Sequence, residues 1–172
     1  RAGAELLFAG YANDLEEGVL PASTLTWKID FHHDEHTHPA LTPVGGFSEG
    51  MYFVHDEGEP DDHVWYRIYL TAKDSMGLSR TVWKDVFPQK TEMTVTTTPP
   101  GILVNVDGLT GFSPYNFHSV VGLNRTATVP AFLFRNDSVF VFEKWHNGST
   151  IPEFPFTTPE TPVPPIEAEY QV

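Results

Sequence analysis

Four histidines and two acids fall within seven residues, His32-His33-Asp34-Glu35-His36-Thr37-His38. Neutral imidazoles bind zinc, copper or nickel, and two or three of them converging on one point suffice. On a strand, His36 and His38 project to one side, and His32 joins them only if the strand runs on unbroken. With His63 further along, the set His32, His33, Asp34, His36, His38 and His63 is a candidate transition-metal site, zinc being one ion it would take. No HExxH spacing is present, and the string is expected to turn into a loop before Pro39. Two other readings stand beside metal binding: the rings cap the end of a β fold by hydrogen-bonding loop carbonyls and acids, or they touch a ligand directly.

A second group could hold a harder cation. Calcium takes six to eight oxygens from acidic loops. Asp14, Glu16, Glu17 and Asp74 fall at neighbouring strand ends if the first half is immunoglobulin-like, and Asp56 to Asp62 carries five further acids. No EF-hand register exists, and solvated turn acids are the competing reading. A third group suits stacking: Trp65, Arg67 and Tyr69 share one face of a strand whose neighbour would carry Lys28, Asp30 and His32. Asp30 and Arg67 then form a natural cross-strand pair. Exposed Trp and Tyr beside charges stack on sugar rings or anchor a protein, unless a neighbouring domain or the proline-rich tail covers them. Ser, His and Asp all occur, but no nucleophile elbow or phosphate-binding glycine loop frames them. A carboxylate pair needs a cleft that small sandwiches seldom form. We therefore expect a non-catalytic chain, with any catalytic domain outside it.

The elements that must position these groups are strands. Leu25 to His33 alternates, with Trp27, Ile29 and Phe31 on one face, and so predicts a strand plugged by Trp27. His63 to Asp74 alternates more strongly, with Val64, Tyr66, Ile68 and Leu70 on the inner face. Glu5 to Ala12, Gly46 to His55 and Leu78 to Phe87 complete a first set. Pro88-Gln89-Lys90 reads as a boundary. Strand signals restart at Glu92 to Thr98, Ile102 to Val106, Phe117 to Val129 and Val139 to Trp145, where Trp145 is a core plug. Ile151 to Pro165 reads as extended packing along an edge or as a tether, and Glu167 to Val172 as a last strand. Helical periodicity is nearly absent, while fifteen prolines and thirteen glycines punctuate short runs. This predicts an all-β chain of two tandem antiparallel β-sandwich domains, residues 1–89 and 90–172, with one large sandwich as the alternative.

Ten basic against twenty-three acidic residues give a formal charge of −13, which argues against nucleic acid or an anionic membrane surface as partner. No apolar run reaches the ~20 residues needed to cross a bilayer as a helix. There are no cysteines, which excludes disulfides and thiol chemistry. Three of the six asparagines, Asn124, Asn136 and Asn147, stand in N-glycosylation sequons, where chance predicts about one; the excess favours an extracellular glycoprotein. The first residue is Arg1, with no Met or signal-like segment ahead of it, so a processed product or a piece of a longer protein is expected.

The stretch FAGYANDLEEGVLPASTLTWKIDFHHDEHTHP through HVWYRIYLTAKDSMGLSRT resembles the PKD-like, immunoglobulin-type modules of secreted bacterial proteins, in the variety appended to glucose/sorbosone dehydrogenase-like propeller enzymes. The remainder, TTTPPGILVNVDG, SVVGLNRTATVPA and FVFEKWHNG, resembles the small PEGA-like β module that often follows. The resemblance implies architecture and an extracellular setting and brings no catalytic residues. Three functions follow as expectations, in order of preference. One is a structural or interaction module that engages other copies or cell-surface proteins, or assembles into a filament. The second is a carbohydrate-binding accessory module of a secreted enzyme, and a metal-binding protein built on the histidines comes third.

Overall fold

The computed structural model describes all 172 residues and is all-β: seventeen strands and a single short 3-10 turn. The chain divides into two compact units, one of Gly3–His55 with His63–Pro88 and the other of Arg1–Ala2, Asp56–Asp62 and Gln89–Val172.

In the first unit β1 (Glu5–Ala9) pairs antiparallel with β6 (Glu49–Phe53). A four-stranded antiparallel sheet runs in the order β5 (His36–Gly45), β4 (Leu25–His33), β7 (Val64–Lys73), β8 (Ser79–Val86). The short pair β2 (Asn13–Asp14) and β3 (Gly18–Val19) closes the acidic turn. Alternation puts Leu25, Trp27 and Ile29 inward, where they pack with Phe8, Ile68 and Leu70. Trp27 is 3% exposed; its indole Nε1 donates to the Phe47 carbonyl at 2.9 Å, which satisfies the one polar atom that burial would otherwise strand. The Phe8 ring lies 4.7 Å away. Gly10 is needed for this fit, since a Cβ there would sit 2.5 Å from Leu70 and 3.0 Å from Trp27. Between β1 and β8 the core opens into a cleft of about 490 Å³ reaching Phe8, Trp27 and Leu70.

The histidine string departs from the loop expected of it. Asp34 adopts φ 46°, and a two-residue turn at Asp34–Glu35 folds the chain straight back into β5, with His33 opposite His36. Pro39 and Pro43 lie within β5 and hide its strand character. An edge strand tolerates them because one side of its backbone needs no ladder partner.

In the second unit one sheet runs β11 (Leu109–Phe112), β10 (Leu103–Val106), β13 (Asn124–Thr128), β16 (Glu153–Thr157). The other runs β12 (Tyr115–Val120), β9 (Lys90–Thr98), β17 (Ile166–Gln171), β15 (Ser138–Trp145), β14 (Phe132–Arg135). Both sheets contribute to one core around Trp145, which is fully buried and donates through Nε1 to the Ile151 carbonyl. The final strand is central, parallel to β9 and antiparallel to β15. The proline-rich stretch is more than a tether, because Glu153 to Thr157 pairs with β13 and Phe154 enters the core. Arg125, which has no partner evident in sequence, is 3% exposed and bonds Asp107 at 2.6 Å and Ser119 at 3.0 Å. Its Nε and Nη1 donors are met in this way and the guanidinium lies over the Phe117 ring at 5.4 Å, while Nη2 is buried without a hydrogen-bond partner.

Candidate functional site

The outer face of the four-stranded sheet carries the most organised polar and aromatic surface. Residues whose neighbours point inward must point outward, and the β4–β7–β8 register lines them up in rows across three strands. Lys28 stands opposite Tyr69, which stands opposite Trp83; Asp30 stands opposite Arg67, which stands opposite Asp85. His32 stands opposite Trp65, with Phe87 just past the end of β8 beside it.

Contacts run both along the rows and between them. Arg67 grips Asp85 with two parallel bonds, Nε to Oδ1 at 2.6 Å and Nη2 to Oδ2 at 2.7 Å. The same guanidinium lies 5.7 Å from the Trp83 ring centre. Lys28 Nζ reaches Asp30 Oδ2 at 2.7 Å and sits 5.1 Å from the Tyr69 ring. His32 and Trp65 stack with centroids 4.8 Å apart and planes within 9°, and the Thr71 and Thr81 hydroxyls close the far end at 2.7 Å. The bonds from Arg67 hold the Asp85 carboxyl below the usual carboxylate range and push Arg67 upward in turn. The bond to Asp30 raises the Lys28 ammonium. Such a forked pair fixes orientation as well as charge, so Trp83 is held against a fixed cation while 62% of it stays in solvent; Phe87 is 69% exposed.

All four residues singled out for stacking or ion-pairing, Asp30, Trp65, Arg67 and Tyr69, therefore lie on one face. The expected Asp30–Arg67 pair does not form. Asp85 competes for Arg67 from the other side with a two-pronged geometry, and Asp30, 5% exposed, turns to Lys28. Trp83, Asp85 and Phe87, which lie outside the residues expected from the sequence, complete the face. Their signal was the alternation of Thr81, Trp83, Asp85 and Phe87 in the closing strand, legible once that strand is recognised as the neighbour of β7.

The histidines split between faces. His32 faces outward with Trp65, and Thr37 Oγ1 lies 3.1 Å from its Nδ1. His33, His36 and His38 lie on the other face, where His33 stacks on Phe31 as well. The His33 and His38 Nε2 atoms are 2.9 Å apart, with centroids 5.0 Å apart and ring planes within 6°. Rings meeting head-on at that spacing share a proton, N–H to N. Two imidazole nitrogens on one tetrahedral zinc, at about 2.0–2.1 Å per bond, stand ~3.3 Å apart and converge at an angle, so a cation there requires both rings to turn. Asp34 lies 3.7 Å from His63. No three of these six residues bring ligand atoms within 4.8 Å of one another.

Three of the calcium candidates, Asp14, Glu17 and Asp74, are engaged with donors. Asp14 Oδ1 accepts the backbone N–H groups of Glu16 and Glu17 at 2.9 and 3.0 Å, which lowers its pKa. Glu17 accepts from the Ser75 N–H and hydroxyl, and Asp74 from the Leu78 N–H. Of the sequons, Asn136 and Asn147 sit in exposed turns. The Asn124 amide instead bonds Asp56 and Thr157.

Comparison with family models, with curated proteins and with solved structures returns no match for this chain.

Proposed function

We propose that the chain is a non-catalytic extracellular interaction module, built as two immunoglobulin-type sandwiches in tandem, PKD-like then PEGA-like, that docks a partner on the outer face of its first unit. One observation carries this reading: Trp83 and Phe87 are exposed on a face whose charged groups are already paired with one another. Binding there buries aromatic area without stripping water from an unpaired ion, the arrangement that makes an aromatic side chain an energetic anchor. The setting outside the cell rests on the sequons and on the resemblance of the sequence. The partner is a cell-surface protein.

A glycan is the second reading. It is favoured by Tyr69 and Trp83 standing in adjacent strands beside Lys28 and Arg67, which offers ring faces for the C–H side of a sugar and donors for its hydroxyls. Parallel protein and glycan arrays probed with the chain and with Trp83→Ala test both. The reading expects binding that Trp83→Ala weakens by about tenfold or more, the worth of one buried aromatic anchor. Binding that ignores the substitution places the site elsewhere.

A further inference from the structure

The edges of the sheets differ in how they are guarded. Edge strands that must stay unpaired carry proline or charge. Here β5 has Pro39 and Pro43, β16 has Glu153 and Pro155, and β8 has Arg80, Lys84 and Asp85, while β11 and β12 carry neither proline nor a charged residue. The edge strand β14 reads Phe-Leu-Phe-Arg, and its phenylalanines are 61% and 75% exposed. They meet edge to face at 6.1 Å. Across the hairpin they stand opposite Val141 and Val139, both 42% exposed, so four apolar side chains form one outward strip.

The backbone of β14 is arranged for a second strand. The Phe142 N–H donates to the Ala131 carbonyl, which fixes the alternation of the β14–β15 ladder. Ala131, Leu133 and Arg135 turn their backbone groups toward β15, and Phe132 and Phe134 turn theirs outward. Four groups, two N–H and two C=O, thus lie on the free edge. We propose that β14 pairs antiparallel with β14 of a second copy, across a two-fold axis at Leu133. In that register Phe132 of each copy faces Phe134 of the other, and each such pair exchanges two hydrogen bonds. All four outward groups of each copy are then satisfied, with no residue left over, and the four phenylalanines come together on one face. A like strand running the opposite way meets this condition by symmetry.

Charge supports a second copy as the occupant. Two molecules at −13 repel, yet the hairpin from Phe132 to Val141 carries one Arg and one Asp, +1 − 1 = 0. The contact thus falls where the acidic surplus is missing. This surface is separate from the aromatic face of the first unit, although both rest on reading the chain as an interaction module.

Sedimentation equilibrium of the full chain, with amide hydrogen exchange read at Phe132 and Phe134, tests the pairing. We expect a monomer–dimer equilibrium in which those two amides exchange more slowly as concentration rises. Phe134→Lys shifts it toward monomer by about tenfold or more, since an edge lysine opposes strand pairing. Phe134→Pro does the same while sparing the bonds to β15, because only an outward N–H is lost. Trp83→Ala leaves the equilibrium in place. A chain monomeric at every concentration overturns the proposal, as does a dimer indifferent to both Phe134 substitutions with unchanged exchange at Phe132 and Phe134. A dimer abolished by Trp83→Ala alone transfers self-association to the aromatic face and also overturns it. Loss of array binding in Trp83→Ala with the dimer intact, or the converse, separates the two surfaces.

Discussion

At the scale of single residues, the chemistry of the candidate face turns on which acid wins Arg67. Asp30 and Asp85 flank it in the same row, and the two-pronged bond to Asp85 prevails because Lys28 already occupies Asp30. The folded pKa of Asp85 lies below its unfolded value, so its contribution to stability is present above the unfolded value of about 3.9 and is lost as pH falls through the folded one. Urea midpoints of the protein and of Asp85→Asn should therefore differ at neutral pH and converge below about pH 4. A gap that stays constant on acidification would mean that Asp85 acts through shape and not charge. Trp27 was legible from alternation alone, because a large apolar side chain in a period-two run has one face to bury. The choice between two acids for one arginine was not legible, because it depends on which strand lies on the far side of β7.

At the scale of elements, the turns decide where strands begin and end. Asn136 and Asp137 both adopt left-handed backbone, φ 50° and 58°, joining β14 to β15 through a two-residue loop of the type that asparagine-glycine favours. Asp137→Gly keeps Asn136 in its sequon and relieves the second left-handed residue. We expect it to raise stability by roughly 0.5–1 kcal/mol in thermal or urea unfolding; a loss of stability would show that the Asp137 side chain holds the turn. The strongly alternating strands at Leu25 and Val64 could be read directly from the sequence. By contrast, β5 and β16 were concealed by Pro39, Pro43 and Pro155, which signal loops in sequence and edge strands in three dimensions. The histidine string belongs here too. Its spacing looked like a ligand cluster, but successive residues of β4 alternate, so His32 faces away from His33, and the tight turn at Asp34 brings His36 and His38 back beside His33 alone.

At the scale of the whole molecule, acidity, sequons and aromatic surface all bear on its dealings with partners. An Asn124 glycan must attach at the Nδ2 that donates to Asp56, beside an Oδ1 that accepts from Thr157, whereas Asn136 and Asn147 sit in exposed turns. Glycopeptide mass spectrometry of chain made in a glycosylating host should find Asn136 and Asn147 occupied ahead of Asn124; full occupancy at Asn124 would mean that this corner opens readily. The sequence contains four tryptophans, and they divide the molecule into core and face. The Trp27 and Trp145 indoles donate to backbone carbonyls inside the two units. Trp83 lies on the outer sheet with Trp65 two rows away. An amide-type nuclear magnetic resonance spectrum of the four indole N–H groups, recorded while adding a partner identified on the arrays, reads both at once. We expect the Trp83 signal to move, with Trp65 following it, while Trp27 and Trp145 stay fixed and slow to exchange; a spectrum in which Trp83 is unmoved while the partner binds would contradict the docking face.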